Sequence, residues 1–313
     1  MEKTSDTFLW VEKYRPRLIE DCILPKEIKS QVKEFVSNGQ VPHLLLAGGA
    51  GTGKTTLGRA IVNEVGADLL FMNFSNENGV DTIRNKIVQF ASTASFEGNL
   101  KIVIGDEADY LTPNAQASLR GIMEEFHKTT RFILTCNFKN RIIDPIHSRC
   151  TFIDYKIPEQ EKKDLMALMM RRAVGILKSE GIEYDAKAIA SLVQKYFPDF
   201  RKTLNELQRY STYGKIDSGI LVADATSYDE LVASMKDKKF ADVRKWIARN
   251  SDIDSEQLYR YFYDNAGTLF EGKTIPNAIL VLAQYQHYAS MVVDQEINNI
   301  ACMIELMSVA QWK

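Results

Sequence analysis

Gly48-Gly49-Ala50-Gly51-Thr52-Gly53-Lys54-Thr55 is the stretch on which the reading of this 313-residue chain turns. Ahead of it runs Leu44-Leu45-Leu46-Ala47, a short apolar segment that reads as a buried strand. Behind it, Thr56-Leu57-Gly58-Arg59-Ala60-Ile61-Val62 reads as a helix. G-x-x-x-x-G-K-T between a strand and a helix is a phosphate-binding loop. Its glycines let successive backbone N–H groups turn inward at a helix N-terminus, which makes an anion nest. Gly51, Thr52, Gly53, Lys54, Thr55 and Thr56 are therefore the expected phosphate cradle. Lys54 is placed to reach β- and γ-phosphates, and the Thr55 hydroxyl to ligate Mg²⁺.

Further strands and helices alternate around this unit. Ile28, Val32, Phe35 and Val36 predict a helix that Asn38-Gly39 closes. A second strand is predicted over 69–74, a polar turn over 76–81, and then a helix carrying Ile83, Ile87, Val88, Phe90 and Ala91. Lys101-Ile102-Val103-Ile104-Gly105 runs into Asp106-Glu107, an apolar strand that ends in adjacent carboxylates. Some 50 residues after a phosphate loop, that pair forms the second half of a nucleotide site. Asp106 is expected to hold Mg²⁺ through water, and Glu107 to polarise the attacking water. Gly105 is unusual within a strand and suggests close approach of another backbone. A helix is predicted over 113–126, with Thr112 as N-cap and Pro113 at its first position. Gln116 and Arg120 share one face of it. That face reads as solvated, with DNA contact or a polar relay to Glu107 as the alternatives. The strand over 131–136 ends at Asn137, an amide able to orient water or a γ-phosphate. A last strand is predicted over 151–155. Val11 to Pro16 precedes any periodicity, and Pro16 disfavours helix at Arg15, so it reads as an extended arm. Alternating strands and helices imply a parallel α/β sheet with its ligand at the carboxyl ends of the strands.

Composition narrows the class. A chain of this length suggests about two or three domains. Hydrophobic content of 45% with 26% charged residues is that of an ordinary globular protein. The net charge of −2 provides no global basic field, so nucleic acid would be bound through a local patch or several copies of one patch. Cys22, Cys136, Cys150 and Cys302 form no C-x-x-C, which argues against a zinc site or disulfide framework and fits a reducing, intracellular setting. The charged first twenty residues hold no secretory core, and no apolar run approaches the ~18 residues of a membrane span.

Taken in order, the Glu12-Lys13-Tyr14-Arg15-Pro16 box, the Gly-Thr-Gly-Lys-Thr-Thr loop, Asp106-Glu107-Ala108-Asp109 and Ser148-Arg149-Cys150 resemble the AAA+ ATPases, and within them the sliding-clamp loader subunits such as the replication factor C small subunits. Pro198-Asp199-Phe200-Arg201-Lys202-Thr203, the length and the Gln311-Trp312-Lys313 end are most similar to the large, ATP-hydrolysing subunits of the T-even-type phage branch. The resemblance implies that Val11, Glu12, Lys13 and Tyr14, with Ile23, contact the adenine and ribose. It implies that Asn137 is the residue called sensor 1 and that Arg201 is sensor 2, lent by a lid to its own subunit's γ-phosphate. Arg149 would be an arginine finger acting on the neighbour's ATP. Arg84, Lys86 and Arg120 would meet the DNA backbone from helices lining an ATPase spiral, through contacts that carry no sequence preference. Two features depart from the family pattern. Leu119-Arg120-Gly121 stands where cellular loaders carry Leu-Arg-Arg, and the 76–79 turn holds no Lys or Arg. No zinc module like that of bacterial loaders is present.

From Pro158 onward the pattern is helical, with stripes over 159–181, 185–197 and 200–213, a connector-like stretch over 215–225 and further helices to the end. The expected architecture is an AAA+ phosphate-loop base domain (1–155), a small helical lid (156–226) and an all-helical collar (227–313). The implied activity is ATP-dependent loading of a ring clamp onto primer–template DNA: ATP binding opens the clamp, and DNA-triggered hydrolysis releases it. The implied partners are the clamp, primer–template DNA, a different small subunit and further copies of this chain, four plus one in the family. A phage-encoded chain would work in the host cytoplasm. The competing expectation is another AAA+ DNA motor or a helicase loader, although the third unit lacks the strand-rich stretch that a winged helix needs.

Overall fold

A computed structural model describes residues 8–77, 79–93, 100–212, 214–217, 219–250, 253 and 255–313. These group into two units, residues 1–218 and 219–313. The first is built on five parallel strands: β1 (Leu44–Ala47), β2 (Asp68–Asn73), β3 (Lys101–Asp106), β4 (Thr130–Cys136) and β5 (Thr151–Asp154), in spatial order β2-β3-β4-β1-β5. Their near-continuous apolar character follows from burial on both faces. Leu44 and Leu46 join one core with Ile102, Ile104 and Ile133, while Leu45 and Ala47 join the other with Val103, Phe132 and Leu134. This is the two-residue alternation of a strand.

Helices cover both faces. α2 (Lys26–Ser37) and α3 (Lys54–Val65) contribute Ile28, Val32, Leu57, Ala60 and Ile61 to the first core. α4 (Val80–Ser92) and α5 (Pro113–Glu125) contribute Ile83, Ile87, Ala115, Leu119 and Ile122 to the second. Thr112 caps α5 as expected, its hydroxyl accepting from the Ala115 N–H at 3.3 Å. Register aligns the strand ends. Ala47 pairs with Cys136, which sets Gly48 beside Asn137, and Gly105 pairs with Leu134, which sets Asp106 beside Thr135.

Beyond the one-turn helix α6 (Asp144–His147), the first unit continues through α7 (Glu159–Ser179), α8 (Ala186–Tyr196) and α9 (Phe200–Ser211). A short parallel pair, β6 (Glu183–Tyr184) with β7 (Lys215–Ile216), ties the ends of this helical part together, which periodicity alone did not predict. Among the described residues the regular elements of the second unit are helices, from α10 (Gly219–Lys236) through α11 (Phe240–Arg249), α12 (Ser255–Asp264), α13 (Ala266–Leu269) and α14 (Ile275–Ala289) to α15 (Gln295–Val309). Its core gathers Leu231, Trp246, Phe262, Phe270 and Met303, and Trp312 packs edge-on to Phe270.

Three local readings are corrected. The segment expected to be an extended arm contains a helical turn, α1 (Trp10–Lys13). Pro16 restricts only Arg15, and buried Trp10 anchors the turn upstream. The connector-like stretch is a helix from Gly219 onward. Gly105 makes room for a ring rather than a backbone: an added Cβ would lie 2.2 Å from the Phe74 side chain and 2.9 Å from Leu134. Gly105→Ala therefore overpacks the sheet directly before Asp106, and we expect it to cost about 1–3 kcal/mol in urea unfolding. Phe74→Leu in the same chain should recover part of that loss; an unchanged midpoint for Gly105→Ala would contradict the packing argument.

Candidate nucleotide site

The phosphate loop turns at Gly51, where φ is +69°, and at Gly53, where φ is +93°, backbone conformations suited to glycine. Gly51 has a second reason to be glycine: a Cβ there would sit 1.8 Å from the carboxylate of Asp199. The Phe200 N–H also donates to the Gly51 carbonyl at 3.1 Å, so α9 is seated directly on the loop.

Lys54 opens α3 and is only 8% exposed. Its ammonium donates to the carbonyls of Gly48 (2.8 Å) and Gly49 (2.7 Å) and to Asn137 Oδ1 (2.8 Å). All three acceptors are neutral, and burial pushes the lysine pKa down, with Asp106 and Asp109 near enough to offset part of that. One residue on, Thr55 Oγ1 donates to Asp106 Oδ1 at 2.6 Å. Thr135 Oγ1 donates to the same oxygen at 2.6 Å and accepts from the Glu107 N–H at 3.0 Å. Glu107 takes a left-handed backbone (φ +58°), uncommon outside glycine and held here by that hydroxyl. Asp109 is buried, and its Oδ2 accepts from the N–H groups of Asn137 (3.2 Å) and Phe138 (3.1 Å).

Beside the loop opens a cleft. The phosphate loop from Gly51 to Thr56 forms one side. Val11, Tyr14 and Ile23 form another, and Met169, Phe200, Arg201 and Leu204 close it from α7 and α9. An apolar slot thus adjoins an anion nest with a cation at its edge. Of the arm residues expected to touch the base, Val11 and Tyr14 line the cleft; the Glu12 side chain pairs with Arg15, and Lys13 reaches Glu180 at 2.7 Å.

The remaining expected residues lie elsewhere. Asp106, Glu107 and Asn137 stand behind the loop and are not among the cleft-lining residues, and neither is Arg149. It ion-pairs with Glu124 of α5 and donates to the Pro145 carbonyl at 2.7 Å. Arg120 approaches the same Glu124 oxygen at 3.9 Å. Arg84 is exposed on α4, and Lys86 on that helix pairs with Glu77 at 2.7 Å. Gln116 is a correction. It is 1% exposed rather than solvated, its amide donating to the Leu111 and Arg141 carbonyls and accepting from the Ile143 N–H. It thus bolts α5 to the segment that leads to Arg149 instead of relaying to Glu107. The sequence reading gave no role to Thr135, Asp109 or Asp199. The Asp-Glu-Ala-Asp string was a signal for Asp109; nothing in the sequence marked Thr135, because a threonine inside a strand is ordinary.

Thr135→Val is close in shape but orphans the Glu107 N–H and removes one donor from Asp106. We expect a stability loss of about 1–3 kcal/mol by chemical denaturation. An unchanged unfolding midpoint would remove Thr135 from the account of the site.

Residues 44–156 match the family model described as "ATPase family associated with various cellular activities (AAA)", and residues 161–222 match "Sliding-clamp-loader large subunit, AAA+ ATPase lid domain". The sliding-clamp-loader large subunit of Enterobacteria phage T4 is 35% identical across 96% of each chain, and that of Escherichia phage RB69 is 33% identical over the same shares. A replication factor C small subunit from Sulfurisphaera tokodaii is 42% identical over 68% of this chain and 65% of that one. Among solved structures, a single-substitution variant of Thermotoga maritima RuvB has a TM-score of 0.56 at 17% identity, covering 82% of this chain and 92% of its own, a likeness of fold alone. With that fold, that site geometry and near full-length relatives, the chain belongs to the sliding-clamp-loader large subunits, a branch of the AAA+ ATPases.

Proposed function

We propose that this chain is the ATP-hydrolysing subunit of an assembly that places a ring clamp on primer–template DNA. ATP binding favours the clamp-opening state, and DNA triggers hydrolysis and release. The observation that carries this reading is the hydrogen-bonded set Lys54–Asn137 and Thr55–Asp106–Thr135, placed beside an apolar cleft closed by Arg201. A base and ribose fit the slot between Tyr14, Val11 and Ile23, and the phosphates fit the loop. The donors Thr55 and Asp106 are hard oxygens 2.6 Å apart, a set that suits Mg²⁺. Thr55 and Asp106 would hold it, and when bound it neutralises charge on the phosphate oxygens.

Each residue then has a task. Lys54 leaves its neutral acceptors for the β- and γ-phosphates. Glu107, whose left-handed backbone is held by Thr135, orients the attacking water. Asn137, fixed through Asp109, holds the water or the γ-phosphate, and Arg201 reports closure from the lid, residues 156–226. Arg149 stays clear of its own cleft and serves the neighbouring copy after leaving Glu124. Such a finger contributes about 10³–10⁵ in rate in other phosphate-loop enzymes. Arg84, Lys86 and Arg120, on two helices that pack together, meet DNA phosphates through salt-sensitive contacts. Residues 227–313 serve as the collar. Their exposed Leu280, Met291, Val293 and Ile297 support this, since apolar side chains so placed mark association surfaces. The partners are the clamp, a different small subunit and further copies of this chain, four in all as in the family, working inside the cell. Among the described residues no helix is long and apolar enough to cross a membrane. The RuvB likeness is one of fold alone, and the full-length relatives favour clamp loading over another DNA motor.

With the assembled complex, clamp and primer–template DNA, Arg149→Ala should retain ATP binding while stimulated hydrolysis falls at least about 10³-fold. Lys54→Ala should lose both. Normal stimulated turnover in Arg149→Ala would remove the finger assignment, and normal turnover in Lys54→Ala would remove the loop assignment. A Leu280→Glu/Ile297→Glu double variant should bind ATP normally as a single chain yet dissociate in sedimentation at concentrations where the unaltered assembly persists. Unaltered assembly would place the contact surface elsewhere.

A further inference from the structure

The N-terminal arm is fastened at several points to parts of the chain far away in sequence. Tyr14 lines the cleft, and its hydroxyl donates to Glu180 Oε1 at 2.5 Å. The Lys13 ammonium reaches the same oxygen at 2.7 Å. Glu180 is the C-terminal cap residue of α7, whose N–H closes the last turn on Ile176. Upstream, the Trp10 N–H donates to Gln208 Oε1 of α9 at 2.9 Å, and Gln208 Nε2 returns a bond to the Phe8 carbonyl at 2.6 Å. Toward the other side, Arg15 approaches the Thr56 hydroxyl at 3.4 Å. The arm therefore bridges the phosphate-loop helix and two helices of the lid.

Chemistry points to Glu180 as the fixed end of that bridge. One carboxylate oxygen takes a short, charge-assisted bond from a phenol and another from an ammonium, and such bonds are about twice as strong as neutral ones. Lys13 first, and then Tyr14, hold the Glu180 carboxyl below its ordinary range, so it stays ionised as their acceptor. The Tyr14 ring can rotate about only two side-chain torsions. Tying down its hydroxyl fixes the plane it offers to the cleft at little entropic cost, because the bond forms before any ligand arrives.

We infer that Glu180 is a positioning residue for the nucleotide base: from the lid it orients Tyr14 against the cleft, so that base affinity depends on the lid and arm being docked together. The inference rests on the nucleotide reading given above and deepens it. Among the described residues the phosphate loop makes no hydrogen bond to Tyr14 or Glu180, so the base and phosphate parts of binding are separable.

The test is equilibrium binding by the full chain of two ligands, ATP and inorganic tripolyphosphate, with variants Tyr14→Phe, Glu180→Ala and the two together. Tyr14→Phe keeps the ring and loses only the bond. We expect ATP affinity to fall about tenfold in each single variant, the scale of one charge-assisted hydrogen bond, and by no more than that in the double variant. Tripolyphosphate affinity should stay within about twofold, and Glu180→Gln, which keeps an acceptor, should recover most of the ATP affinity. Three results would overturn the inference: no change in ATP affinity, equal losses for ATP and tripolyphosphate, or a double variant whose loss is the product of the singles. Failure of the unaltered chain to bind ATP at all would instead remove the nucleotide reading beneath it.

Discussion

A buried ammonium whose hydrogen-bond acceptors are all neutral is the constraint around which the site is arranged. Lys54 is surrounded by two loop carbonyls and the amide oxygen of Asn137, and its burial opposes its charge. Neutral dipoles satisfy the three donors but do not neutralise the cation, an expensive state in a low-dielectric setting. A phosphate oxygen is a better partner than any of the three acceptors. The same contacts also tie β1, through Gly48 and Gly49, to β4, through Asn137. The parallel register of those strands brings the two ends together, so an aligned sheet and a receptive phosphate loop are one condition.

Around that cation the site is built in layers. Thr135 holds Asp106 and the backbone of Glu107 in one step, and Asp109 holds the turn after Asn137. The helical part of the first unit supplies the other wall, pressed close enough for Asp199 to exclude any side chain at Gly51. Within one chain this accounts for a phosphate loop beside a cleft, with Asp106 tied to that loop through Thr55. It does not bring Arg149 to the cleft. That arginine rests on Glu124, the carboxylate that Arg120 also approaches, with its guanidinium charge offset by its own chain. A surface pair of this kind is weak, about 0–1 kcal/mol, so little holds the arginine in place under the trans role proposed for it. Hydrolysis is then proposed to be a property of the assembly.

Much of this was legible in the sequence because the phosphate loop and the strands beside it carry local signals. Glycines that need positive φ, apolar runs buried on two faces and carboxylates at a strand end each declare themselves within a few residues. Gln116 did not. Its position four residues before Arg120 looked like a solvated stripe, yet it is buried, because the segment after Asn137 folds back over α5 and supplies carbonyls and an N–H that only tertiary structure brings near. The arm misled for a related reason: Pro16 dictates one residue, while the turn before it is fixed by contacts to α9 some 200 residues away in sequence. Glu180 was invisible for the same cause, since a glutamate before a glycine at a helix end is common and its partners lie in a different part of the chain.

Whether each hydrolytic site combines residues of two copies of this chain can be decided by mixing two defective chains. An assembly made only with Lys54→Ala and one made only with Arg149→Ala should each be inactive with clamp and primer–template DNA. Co-assembled, the two should regain turnover, because some interfaces then pair an intact phosphate loop with an intact finger. A mixture no more active than either parent, over a range of mixing ratios in which both chains are shown to occupy the same assembly, would contradict the account.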